Sequence, residues 1–215
     1  MRFEKEKEEI KIIFCKMFTK VIDNLKSSLN YYLYEKEKKD NLIIDDDIIN
    51  NYERELESKC MKILLKESIY SDDFREISAT LEMIDSLERI GDNAFDIKNM
   101  SDDLKTTNYK LPNKEIEALS LFILKTIEET YYAYIKEDID SANEIIKKDD
   151  EVDKMYWNEI LHLASLNDER KIDGKATVFT SHILKYLERI EDQITNISEW
   201  IVYIKTGYHK DRIII

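Results

Sequence analysis

The pattern Leu-Glu-Arg-Ile-x-Asp occurs twice, at 87–92 and at 187–192, one hundred positions apart. Around it Asp73/Asp173, Thr80/Thr180 and Ile97/Ile197 recur at the same offset. Repetition on this scale means two copies of one supersecondary unit, so the chain must build the same object twice. That object is helical. Only 3 glycines and 1 proline occur in 215 residues, too few for the turns and strand breaks of a β-rich fold.

The apolar spacing agrees. Ile10, Ile13, Phe14, Met17, Phe18, Val21, Leu25, Leu29 and Tyr32 fall three and four apart, the stripe of a long amphipathic helix. After the charged run at 35–41, Ile49, Tyr52, Leu56, Cys60, Ile63 and Leu64 mark a second helix, ending near Glu67. Ser71 is placed to cap a third, with acidic residues in its first turn facing the positive end of the helix dipole. Ile77, Leu81, Ile84, Leu87, Ile90, Ala94 and Ile97 carry this helix. Pro112 fits a first helical position and marks the boundary. Ile116, Leu119, Ile123, Ile127, Tyr131 and Tyr134 then define a fourth helix, which breaks near Glu137–Asp140. A single fifth runs through Ile145, Val152, Met155, Tyr156, Ile160 and Leu163. The sixth extends from Val178 to Ile201, with Gly207 closing it. The expected fold is therefore all-α: two tandem, pseudo-symmetric three-helix bundles, 1–110 and 111–215.

With 43% hydrophobic and 37% charged residues the chain can form a real core. Its net charge of -13 argues against nucleic acid, which requires a basic footprint, and favours cations or basic protein surfaces. No apolar run approaches the ~20 residues of a membrane span, and the opening MRFEKEKEEI has no signal-peptide core. A cytoplasmic protein is expected. Cys15 and Cys60 sit at apolar helical positions without a CxxC neighbour and read as small buried hydrophobes in a reducing compartment.

The acidic residues form ladders. Glu88 and Asp92 stand one turn apart on one helix face, beyond the edge of the Ile84, Leu87, Ile90 and Ala94 stripe and toward solvent, and Asp96 continues the row. On the second helix Asp46 and Asn50 are likewise four apart, with Glu53 beyond them. In the second copy the positions are Asp149 and Asp153 against Glu188 and Asp192. If the two helices of each pair run antiparallel, oxygen-bearing side chains from both line one surface. Hard or borderline cations use such donors: iron, manganese, magnesium or calcium. No thiolate or imidazole joins them, so a zinc site of that kind is not indicated. A solvated face ion-paired through Arg89 and Arg189 explains a single ladder equally well; repetition in both halves favours the cation. His162, His182 and His209 are scattered, no nucleophile–base set can be drawn, and Gly91 lies in no phosphate-binding loop. No enzyme is indicated.

The segments LERIGDNAFDI, LERIEDQITNISEWIVYIKTG and SDDFREI resemble the PhoU family across almost the whole chain. The closing stretch carries Asn196, Ile197, Glu199, Trp200, Tyr203, Thr206 and Gly207. The resemblance implies the same two-bundle fold and a regulator of phosphate uptake. It implies an adaptor between the ATP-binding subunit of a phosphate transporter and a sensor histidine kinase, a negative regulator of phosphate-responsive genes, and a homodimer. It also implies surface metal clusters of iron or another divalent ion (manganese, magnesium, calcium or zinc undistinguished), and no organic cofactor. The metal residues it points to are Asp46, Asn50, Glu88 and Asp92, and Asp149, Asp153, Glu188 and Asp192. Three departures stand out: Glu191 replaces the motif glycine, Asn50 is not a carboxylate, and Tyr156 replaces Glu53. Two other readings are a metal store or metal-dependent enzyme in a helical bundle, and a plain scaffold with solvated acidic faces. Di-iron bundles of the former kind use Glu-x-x-His pairs in their core, which this chain lacks.

Overall fold

A computed structural model describes residues 2–34, 46–65, 70–107, 114–210 and 212–213. It contains α1 (Arg2–Tyr34), α2 (Asp46–Leu64), α3 (Ser71–Leu104), α4 (Lys114–Lys136), α5 (Ile139–Ile146), α6 (Asp149–Asp168) and α7 (Gly174–Thr206). A small hairpin, β1 (Tyr208–His209) with β2 (Arg212–Ile213), follows. The charged run at 35–41, the helix end near Glu67, Pro112 and the boundary at 110/111 lie outside the described residues.

Each half is an up-down-up trio. Lys7 bonds Asp73, Ser28 bonds the carbonyl of Ala94 and Tyr31 bonds Asp102, so α1 and α3 run parallel. Between them α2 runs the other way, with Ile49 beside Gly91 and Lys59 beside Glu9. The second half repeats the plan. Thr130 meets Ser198, Asp149 meets Thr195 and Asn167 meets Thr177, making α4 parallel and α6 antiparallel to α7.

The halves join side by side along α3 and α7. Asn196 donates to Ser86 at 2.8 Å, and Tyr186 lies close enough to Asp96 to feel its charge. The two pairs are symmetric about positions 91 and 191, so α3 and α7 cross antiparallel around a local two-fold. Phe14 against Tyr134 and Phe18 against Tyr131 close the second seam, between α1 and α4. The apolar stripes merge into one continuous core, from Ile10 and Phe14 through Leu87 and Ile90 to Leu187 and Ile201. Burial on this scale stabilises by roughly 25 cal/mol per Å² of apolar surface.

Three expectations require correction. Ser71 is not a cap: α3 begins at Ser71 itself, after Tyr70, with no side-chain cap. The extra turn places Asp73 inside the helix, where it holds Lys7 at 2.6 Å, whereas its repeat partner Asp173 caps α7 by accepting from the Ala176 amide at 2.7 Å. The fifth helix is not one rod. At Lys147 and Lys148 the backbone stays helical, but the Lys148 amide bonds Ile145 three residues back, tightening the turn between α5 and α6. Cys60 is fully buried, as expected, but Cys15 is only half-buried. The break after α4 does fall at Glu137, which takes a left-handed φ of 55°. Gly207, at φ 75°, ends α7 as expected.

Candidate functional site

The antiparallel packing of α2 on α3, and of α6 on α7, sets the acidic ladders of each half face to face. In the first wall Asp46, Asn50 and Glu53 of α2 look across to Asp85, Glu88, Asp92 and Asp96 of α3. Asn50 donates its amide to Asp46 at 3.1 Å. The other oxygen of each, Asp46 Oδ1 and Asn50 Oδ1, is buried without a hydrogen-bond partner. Glu88 is half-buried rather than solvated. Burial first, then the charges of Asp92, Glu53, Asp85 and Asp46, push its carboxyl up to about 7. Asp92 is raised by burial and by Asp46 and Asp96; Glu53 is raised by burial, Glu57 and Asp85. Arg89, the ion-pair partner expected for this ladder, turns instead to Asp85 at 3.0 Å.

The second wall is built differently. Asp149 accepts from Thr195 at 3.4 Å. Burial, with Glu188 and Asp149 nearby, pushes Asp192 up to about 6, and Asp149 is raised by burial and Asp153. Here, however, a cation is built in: Lys185 stands where the first half has Asp85, and its ammonium grips Glu188 at 2.5 Å. Lys185 also lies over the Tyr156 ring, so Tyr156, in place of Glu53, removes one carboxylate and seats the lysine.

The motif glycine explains another difference. A Cβ on Gly91 would stand 2.7 Å from Ile49 Cδ1. The repeat equivalent of Ile49 is Val152, one methyl shorter. Where α3 and α2 use Gly–Ile, α7 and α6 use Glu–Val. Glu191 is 1% exposed, and neither of its carboxylate oxygens has a partner. Burial first, then Asp149 and Asp192, push it up to about 8 against the lowering influence of Lys148.

All eight residues expected for metal therefore lie on two walls, four to a wall. Their donors are all oxygen, which suits a hard cation, and the orphaned Asp46 and Asn50 oxygens fit one in kind. As placed, no three His, Cys, Asp or Glu among the described residues converge to hold an ion. The burial of Glu191 and the Lys185–Glu188 pair were not anticipated; the departures Gly91/Glu191 and Asp85/Lys185 were the available signals. Beyond the walls, the closing hairpin stacks His209 on Trp200 at 3.9 Å, with Glu199 3.6 Å from the imidazole. His162 and His182 are exposed.

Fold and walls together define a class: a duplicated three-helix protein with paired acidic faces on its outside. The PhoU domain matches residues 14–100 and 116–201, one copy per half, and the chain belongs to the PhoU family. The phosphate-specific transport system accessory protein PhoU homolog of Clostridium acetobutylicum is 34% identical over 79% of this chain and 78% of its own length. PhoU homolog 1 of Thermotoga maritima is 27% identical over 96% and 90%. The crystal structure of the phosphate transport system regulatory protein PhoU from Streptococcus pneumoniae superposes with a TM-score of 0.87, at 23% identity, over 98% of this chain and all of that one. The last likeness is one of fold.

Proposed function

We propose that this protein regulates phosphate transport as an accessory protein. The observation that carries the reading is the PhoU domain in both halves, together with a relative of 34% identity that is named for the phosphate-specific transport system. In the finer reading it is a helical adaptor, and a negative regulator of phosphate-responsive genes. One partner is the ATP-binding subunit of a phosphate transporter and the other a sensor histidine kinase. Its affinity follows the state of the transporter, and its binding biases the kinase towards its phosphatase-like form. The adaptor works in the cytoplasm, as a homodimer, and catalyses no reaction. No helix among the described residues is long and apolar enough to cross a membrane, so membrane contact runs through the partners.

The surface supports docking. Trp157 and Leu161 stand one turn apart on α6, 59% and 65% exposed, close along the helix to Asp149 and Asp153. An apolar anchor beside a carboxylate wall suits a basic, amphipathic partner surface. Cations on the walls belong to the same proposal. Asp46, Asn50, Glu88 and Asp92 would hold a hard metal in the first half, and Asp149, Asp153 and Asp192 in the second, where Lys185 holds Glu188 in an ion pair. Such an ion would relieve the mutual repulsion of the carboxylates.

The test is a pull-down with the transporter ATPase and the kinase at high and low phosphate, alongside phosphate uptake in a deletion strain. Binding of both partners and deregulated uptake are expected. Failure of both partners to bind in either condition overturns the adaptor reading.

A further inference from the structure

Glu191 is a buried carboxylate with neither oxygen hydrogen-bonded. An ionised carboxylate sealed from water without a partner is costly, and such groups are normally paired, metal-bound or neutral. The first half avoids the problem: Gly91 has no side chain, and Ile49 fills its place. The second half has put a carboxylate there, and the repeat equivalent of Ile49 is Val152, one methyl shorter.

The position selects what Glu191 can reach. Residues 188, 191, 192 and 195 share one face of α7 by their three- and four-residue spacing. Thr195 on that face bonds Asp149 Oδ1, which places the start of α6 opposite. Asp149 and Asp192 both act on Glu191 electrostatically. The cation that also acts on it, Lys148, is held elsewhere, by Glu129 at 2.7 Å. Glu188, the acid expected to serve this wall, is held by Lys185 at 2.5 Å.

We propose that Glu191 is a cation ligand of the second wall, acting with Asp149 and Asp192 in place of the Glu188 carboxylate that Lys185 retains. A hard divalent ion entering between α6 and α7 draws these three carboxylates together and supplies the buried one with its missing partner. The two walls then take the same class of ion through different donor sets, because Ile49 leaves no room for a side chain at 91. The inference rests on the reading that the walls take cations.

Manganous chloride is titrated into the full chain, with free Mn(II) counted by electron paramagnetic resonance. Glu88→Gln/Asp92→Asn provides a background in which only the second wall remains. Adding Glu191→Gln is expected to weaken the remaining uptake about tenfold or more, since losing even an outer-shell partner of a metal typically costs that much. Glu191→Gly/Val152→Ile gives the same readout with the Gly–Ile packing the first half already uses, so a folding failure of the glutamine variant does not end the test. Unchanged isotherms in either folded variant overturn the proposal. No Mn(II) uptake by the wild type overturns it together with the cation reading of both walls, and leaves the adaptor reading to its own pull-down.

Discussion

Gly91→Ala tests the Gly–Ile contact at the heart of the first half. The new methyl would stand 2.7 Å from Ile49 Cδ1, well inside van der Waals contact of about 3.5–4.0 Å between carbons. Ile49 is fully buried, so its δ-methyl has no open space to move into. Overpacking of this kind costs roughly 1–3 kcal/mol. Replacing a mid-helix glycine by alanine returns roughly 1 kcal/mol through helix propensity. The net expectation is a loss of roughly 0–2 kcal/mol. Ile49→Val alone removes the same δ-methyl and costs roughly 0.5–1.5 kcal/mol through the cavity it leaves. Combined, the alanine methyl fills that cavity and the clash disappears. The double variant should match the wild type or exceed it by about 1 kcal/mol, giving a favourable coupling of about 1–3 kcal/mol. Urea unfolding followed by far-UV circular dichroism measures all four corners of the cycle. Additive losses, with the double variant the least stable of the four, would refute the packing account of the Gly91–Ile49 pair.

The acidic walls predict a pH response. Glu88 has a folded-state pKa raised to about 7, so its contribution to stability is fully present below its unfolded value of about 4.3 and is lost as pH rises through 7. In chelator-treated protein Glu88→Gln should therefore unfold at higher urea than wild type at pH 8, with the gap closing by pH 4.5; a gap that persists at pH 4.5 would disprove the electrostatic cause. The helix ends predict a contrast between repeat-related residues. Asp173→Ala removes the side chain that accepts from Ala176 and should cost about 1 kcal/mol, whereas Ser71→Ala should cost under about 0.5 kcal/mol, because Ser71 caps nothing. Equal losses in thermal melts would show that the caps do not differ.

Periodicity carried most of the fold. The stripe from Ile10 to Tyr32 is the face α1 buries, and the repeat at offset one hundred located α3 and α7. What it could not carry was the start of α3. Ser71 is a favourable capping residue, yet Lys7 reaches from α1 to Asp73 and Glu76 at 2.6 Å each, and Asp73 is inside the helix when it does so. The turn at Lys147–Lys148 was hidden because both residues are good helix formers and the kink is only a local tightening of the hydrogen bonds. At the site, four-residue spacing placed the carboxylates on shared faces correctly. It could not show which were shielded: Glu88 and Glu191 are three residues apart within their motif copies, and only packing against α2 and α6 decides how deep each lies.

The two walls descend from one pattern but resolve the same electrostatic conflict in different ways. The charges that raise Glu88 are those of Asp92, Glu53, Asp85 and Asp46, and of these only Asp85 is ion-paired among the described residues, with Arg89 at the wall's edge. The second wall answers part of its own excess. Lys185 ties down Glu188, Thr195 donates to Asp149, and Tyr156 replaces a carboxylate with a ring that seats Lys185. What it leaves unanswered is displaced inward, to Glu191. An antiparallel crossing of α3 on α7 puts positions 91 and 191 level with the local two-fold, while the side-chain direction at 91 faces α2 within its own half. An ion bound to Glu191 would therefore act directly on α7, the helix that packs along α3, while an ion in the first wall would meet α3 through Glu88 and Asp92. The spine shared by the halves is thus the element that both walls adjoin, and it also carries Trp200, on which His209 of the closing hairpin stacks.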